Sequence, residues 1–136
     1  KGPIYWKEHA MQFIDPGFKG HNPGHYETAV VSKGMLYISG LLSIDPDTRE
    51  PCRGDIVDHC RQTLSNLDRV LAAANCRRDQ VVFCRVLTPS VDYTQAINAE
   101  YAAFFGDHRP GRVMVPTTKL HMGSLVIIDA VAELDA

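Results

Sequence analysis

Apolar and polar positions along the chain switch between strand and helix periods, and these switches together with the turn residues between them mark the elements. Tyr26 to Val31 and Met35 to Gly40 are rich in β-formers and are joined by Ser32-Lys33-Gly34, which predicts a hairpin. Asp45-Pro46-Asp47 opens a loop. From Asp55 to Ala74 the apolar positions Ile56, Cys60, Thr63, Leu64, Leu67, Val70, Leu71 and Ala74 fit a helix with one buried face and Asp55 as its N-cap. Val81 to Leu87 predicts a buried strand, closed by Thr88-Pro89-Ser90. Tyr93, Ile97, Tyr101 and Phe104 recur at helical spacing until Gly106 ends the pattern. Two more strands begin at Val113 and Leu125, separated by a turn at His121-Met122-Gly123.

The resulting order, ββαβαββ, predicts a single α+β domain. Two helices cannot cover both faces of such a sheet, so they should share one face. Runs such as Met35-Leu36-Tyr37-Ile38 are apolar at nearly every position, so the other face should be covered by a partner subunit. Ahead of the first hairpin, residues 1–22 are irregular in pattern yet carry Ile4, Tyr5, Trp6, Phe13 and Phe18. They predict an extension that packs on a main domain of residues 23–136, entered through an Asn22-Pro23-Gly24 turn.

Composition narrows the class further. A 136-residue chain with 45% hydrophobic and 22% charged residues can bury a substantial core as one domain. The formal charge of -2 gives no general attraction to nucleic acid or anionic membrane. No apolar run is long enough to span a bilayer, and the first residues lack a signal-peptide core, so the expected compartment is cytoplasmic. Cys52, Cys60, Cys76 and Cys84 form no C-x-x-C pair, consistent with free thiols rather than a disulfide frame or zinc site. No pair of histidines has the i, i+4 helical spacing of a metal site.

Arg112 is the main candidate for chemistry. It follows Pro110-Gly111 and opens the run Val113-Met114-Val115, so a stiff turn holds its guanidinium at the mouth of a strand. That planar fork matches a carboxylate bidentately. His25, His108 and His121 lie beside Tyr26, in the loop feeding Arg112 and near the end of its strand, where an imidazole could move a proton near neutral pH.

Gly24-His25-Tyr26, Leu36-Tyr37-Ile38-Ser39-Gly40, the helical Arg61-Gln62-Thr63-Leu64-Ser65-Asn66-Leu67, Asn98-Ala99-Glu100-Tyr101-Ala102-Ala103-Phe104-Phe105 and the Arg-Pro-Gly-Arg112 turn resemble, in order and spacing, the landmarks of the Rid family. This is the reactive intermediate (enamine/imine) deaminase family, also called YjgF, and the resemblance runs from about Pro23 to Ala132. It implies a chorismate-mutase-like fold and a homotrimer with clefts between subunits. It also implies hydrolysis of a small 2-imino or enamino acid to a 2-oxo acid and ammonia, without metal or organic cofactor. Partners would be a small carboxylate substrate and two further copies of the chain, with no nucleic acid and no membrane. Arg112 would grip the substrate carboxylate, Tyr26 would belong to the cleft, and Ser39 and Gly40 to the loop touching substrate. Asn98 and Tyr101 match the second-helix pattern, where they also fit as packing and capping residues. Met114 stands where many members have cysteine, which removes any thiol role there.

The last strand departs from the family. Where members commonly read Glu-Ile-Glu-Ala, this chain has Ile127-Ile128-Asp129-Ala130. The first glutamate is associated with the attacking water, and isoleucine can neither orient water nor favour a cationic nitrogen. Asp129 shares the face of Ile127 but sits about 6 to 7 Å along the strand, so it replaces the glutamate only with a changed substrate pose. The catalytic candidates are thus Arg112, Tyr26 and Asp129, and the substrate-binding candidates Ser39, Gly40, Arg112, Met114 and Ile127. Two other functions fit the same departure: a pathway enzyme acting on a bulkier unsaturated or cyclic acid, and a carboxylate sensor or protein-binding member without catalysis. Ribonuclease activity, linked to some members, is not favoured by the acidic balance of this chain.

Overall fold

A computed structural model describes residues 4–6, 11–20 and 24–136. One mixed sheet holds strands β1 (Ile4–Trp6), β2 (Gln12–Ile14), β3 (Ala29–Ser32), β4 (Met35–Leu41), β5 (Val81–Thr88), β6 (Gly111–Pro116) and β7 (Ile127–Glu133). Their spatial order is β1-β2-β3-β4-β7-β5-β6, antiparallel except for the β5 and β6 pair. Helix α1 (Ile56–Ala73) follows β4, and α2 (Thr94–Phe105) connects the parallel strands β5 and β6.

The expected ββαβαββ order is that of β3 through β7, with the two helices where periodicity placed them. Two features differ. The first segment, read as irregular, contributes β1 and β2 to the sheet. Each is three residues long, too short for alternation to register in sequence, and β2 is defined by its pairing with β3. The first hairpin strand begins at Ala29 rather than Tyr26, because residues 24–26 bend before the ladder starts. Likewise β7 starts at Ile127, two residues after Leu125. Asn22 and Pro23 of the expected turn lie outside the described residues.

Local chemistry explains the element ends. In the β3 to β4 turn, Lys33 (φ 51°) and Gly34 (φ 77°) both occupy left-handed conformations, the pattern of a two-residue hairpin turn. Asp55 caps α1 by accepting from the Asp58 N–H (3.0 Å), and Asp58 reciprocates on the Asp55 N–H (3.1 Å). Gly106 (φ 64°) ends α2.

Alternation then divides the sheet into two faces. Leu36, Ile38, Cys84, Val86, Ile128 and Ala130 point into a core with Leu64, Leu67, Val70 and Leu71 of α1 and Ile97, Tyr101 and Phe105 of α2. On the opposite face Tyr37, Phe83 and Val113 remain 48%, 41% and 42% exposed. Burying apolar area is worth about 25 cal/mol per Å2, so this uncovered face would gain from a partner. The described cysteines are all free, and three of the four are buried.

Candidate functional site

Arg112 sits on the edge strand β6, level with Cys84 of β5. Its side chain leans over α2. One guanidinium N–H donates to the Asn98 side-chain carbonyl (Nη1 to Oδ1 3.0 Å), and the guanidinium carbon lies 4.8 Å from the centre of the Tyr101 ring. Asn98 and Tyr101 are three residues apart on α2, so one helical face presents both. Burial pushes the Tyr101 phenol well above its usual range, and the neighbouring Cys84 thiol adds to this. Tyr101 is therefore a neutral platform. No described carboxylate pairs with Arg112. Its cleft is also lined by Phe105, His108, Arg109 and Pro110. His108 Nε2 donates to the Val81 carbonyl at 2.6 Å, which fixes the ring against Phe105.

Tyr26, Ser39 and Gly40 come together elsewhere. Ser39 and Gly40 form the irregularity of β4, where its register with β7 shifts between Ile38 and Leu41. The Ser39 hydroxyl donates to the Glu27 carbonyl (2.7 Å) and the Ser39 N–H to the Thr28 carbonyl (2.9 Å), tying the bulge to the segment that carries Tyr26. Tyr26, Thr28, Ser39 and Gly40 line a second pocket with Phe18, Lys19 and Arg49. Ile127 closes against this bulge: its Cγ2 lies 3.1 Å from where a Cβ on Gly40 would stand, and it is buried. A side chain on residue 40 would need Ile127 to give way by a few tenths of an ångström.

These two groups do not meet within one chain. Ile38, Ala130, Cys84 and Arg112 form one cross-strand row, placing Arg112 three strand spacings from β4, about 14 Å. Met114 is inward beside Val86, half-buried on the core. Asp129 faces the uncovered side of the sheet and accepts from Arg85 (Nε to Oδ2 2.9 Å). His25 and His121 are both exposed.

A buried polar cluster escaped the sequence reading. His59 of α1 accepts at Nδ1 from the Ser43 hydroxyl (2.6 Å) and the Leu125 N–H (3.3 Å), and Ser43 N–H donates to Ser124 Oγ (3.2 Å). Two donors at Nδ1 require the neutral ring with its proton on Nε2. Burial lowers the His59 pKa against the opposing pull of Asp58, the Gly54 carbonyl and Asp55. Its apolar periodicity on α1 gave no sign of this, because a buried histidine and a buried hydrophobe occupy the same helical positions. Among the described residues no His, Cys, Asp and Glu cluster could hold a metal ion, and no helix is long and apolar enough to cross a membrane.

The mixed sheet with two helices on one face defines a chorismate-mutase-like α+β protein. The Endoribonuclease L-PSP family profile matches residues 20–134, and the chain belongs to this family, which is the Rid or YjgF family. It is 33% identical to the 2-iminobutanoate/2-iminopropanoate deaminase of Capra hircus over 109 residues, 80% of each chain. Its fold superposes on the Rid-family protein YyfA of Yersinia pestis with a TM-score of 0.84 at 31% identity, covering 92% of this chain and 100% of that one. The E. coli protein TdcF, solved with bound serine, gives a TM-score of 0.77 at 26% identity over 82% and 90% of the two chains. Family membership and the deaminase relatives support a general imine deaminase role.

Proposed function

We propose that the protein hydrolyses a small 2-imino acid to the 2-oxo acid and ammonia in the cytoplasm, at clefts shared between the subunits of a homotrimer. Arg112 carries this reading. Its guanidinium is held by Asn98 and the Tyr101 ring, has no described carboxylate partner, and opens onto a cleft, so a substrate carboxylate can complete its coordination. The separation of Arg112 from Tyr26 within one chain supports a shared cleft, in which a neighbour brings Tyr26, Ser39 and Gly40 toward the clamp. The exposed face around Tyr37, Phe83 and Val113 supplies the apolar area for such an assembly.

In the reaction, water adds to the imine carbon and the C=N bond becomes a C–N single bond. Nitrogen takes up protons from the water and the medium, the carbinolamine collapses to C=O, and ammonia leaves. Arg112 holds the carboxylate and so fixes the carbon that is attacked. The Tyr26 phenol is the remaining candidate to position the water, since Ile127 has no polar atom and Asp129 is committed to Arg85. The serine bound in TdcF and the activity named for the goat relative support a small amino-acid-like ligand.

A second reading, a carboxylate sensor of low catalytic activity, is favoured by the apolar wall at Ile127. Ammonia release from 2-iminobutyrate generated in solution decides between them. Acceleration proportional to protein concentration, abolished in Arg112→Ala, supports the deaminase; binding of 2-oxobutyrate without acceleration supports the sensor.

A further inference from the structure

We propose that the pocket bounded by Phe18, Lys19, Tyr26, Ser39 and Arg49 receives a second acidic group, so that the preferred ligand is a 2-imino acid whose side chain ends in a carboxylate. This rests on the reading that Arg112 takes the 2-carboxylate. The pocket holds about 60 Å3 of free space, room for about four water-sized groups, the size of a carboxymethyl end. Leu41 and Ile44 contribute apolar lining, and the cationic residues Lys19 and Arg49 are also among those that line it. Neither cation forms an ion pair among the described residues, whereas Arg69, stacked on the same Phe18 ring, is tied to Asp47 at 2.9 Å.

The backbone is shaped to deliver Arg49. Its φ is 67°, a left-handed conformation that a non-glycine residue adopts at a cost and that concentrates at ligand sites. Asp45 enforces it: its carbonyl accepts the Arg49 N–H (2.8 Å), and its carboxylate accepts the N–H groups of Asp47 (2.8 Å) and Thr48 (3.2 Å). Opposite, a Cβ on Gly20 would lie 2.9 Å from Arg49 Cδ, so the arginine stem packs directly on the Gly20 backbone and would have to shift for a larger residue there. An apolar substrate side chain would leave two cations beside hydrocarbon. A carboxylate would gain charge-assisted hydrogen bonds from them.

Calorimetry with 2-oxoglutarate and 2-oxobutyrate tests this on the full chain. The dicarboxylate should bind at least about 10-fold tighter, the ratio expected of one charge-assisted hydrogen bond. Arg49→Gln should bring that ratio close to one, and Arg49→Lys should retain most of it. Since Gln meets the same left-handed backbone as Arg, an unchanged melting temperature would confirm that the variant folds. Equal binding of the two acids by the wild type, or a ratio unmoved by Arg49→Gln, would overturn the second-acid pocket while leaving the deaminase reading intact. Failure of both acids to bind would instead overturn the Arg112 clamp. If Arg112→Lys weakens 2-oxobutyrate but not 2-oxoglutarate, the pocket holds an acid independently of the clamp, and the proposed substrate class is wrong.

Discussion

Asn98 holds Arg112 across the gap between α2 and β6, with its side-chain carbonyl 3.0 Å from the guanidinium. The arginine is therefore aimed before any ligand arrives, and part of the entropy of ordering it is already spent. Asn98→Ala should weaken 2-oxobutyrate binding by about 0.5 to 1.5 kcal/mol, the worth of one hydrogen bond. Arg112→Lys, which keeps charge but loses the fork, should cost more, about 1.5 to 3 kcal/mol. Titration calorimetry measures both, and a larger loss for Asn98→Ala than for Arg112→Lys would displace Arg112 as the clamp.

Three chains are expected in sedimentation at micromolar concentration. Phe83 and Tyr37 lie on the uncovered face, on neighbouring sides of β7, where Val131 pairs with both. Introducing a charge at this point, as in Phe83→Lys, would have to be desolvated in the assembly and should shift the protein to monomer. A stable wild-type monomer would remove the shared cleft.

Acid should destabilise the protein through His59. Its folded pKa lies below the ordinary value of 6.5, so the unfolded chain binds the additional proton. The contribution is complete above pH 6.5 and is lost as pH falls through the lowered folded value. Protonation would also turn the Nδ1 acceptor into a donor facing Ser43 and Leu125. Urea midpoints between pH 7.5 and 5 should therefore decline. His59→Leu should cost about 1 to 3 kcal/mol at neutral pH for the orphaned donors, and should flatten the decline. An equal slope in the variant would assign the pH dependence to other groups.

The strands and helices with long periodic patterns were legible because burial on one face repeats visibly: α1 keeps Leu64, Leu67 and Leu71 at helical spacing, and α2 keeps Ile97 and Tyr101. β1 and β2 were not, because three-residue strands are stabilised by what they pair with rather than by their own alternation. At the site, Arg112 stands out by its Pro-Gly turn, whereas Asn98 matches the second-helix pattern of the family and fits equally as a packing or capping residue. Its role depends on α2 lying beside β6, which brings together two residues 14 positions apart. Arg49 gave no signal at all. Its approach to the pocket depends on a left-handed turn and on the missing Cβ of Gly20, both of which exist only in three dimensions.

Ile127 is expected to limit the rate of the proposed hydrolysis. Packed against Gly40 at the wall of the bulge, it stands where the family resemblance implies a glutamate, and it offers water no acceptor. Asp129, two residues on, is held by Arg85 and would have to break a 2.9 Å ion pair to act as a base. Hydrolysis of 2-aminoacrylate should thus be slow in the wild type and largely insensitive to Asp129→Asn. Ile127→Glu should accelerate it by about 10- to 100-fold, at or below the usual return of one acid or base group. The glutamate fits only by pointing away from Gly40, so the melting temperature of the variant must accompany the rate. Following imine decay in all three proteins separates the cases. A fast wild type that loses activity in Asp129→Asn would show that Asp129 leaves Arg85 to serve the reaction. A slow wild type unimproved by a folded Ile127→Glu would mean that the cleft binds carboxylates without being built to hydrolyse imines.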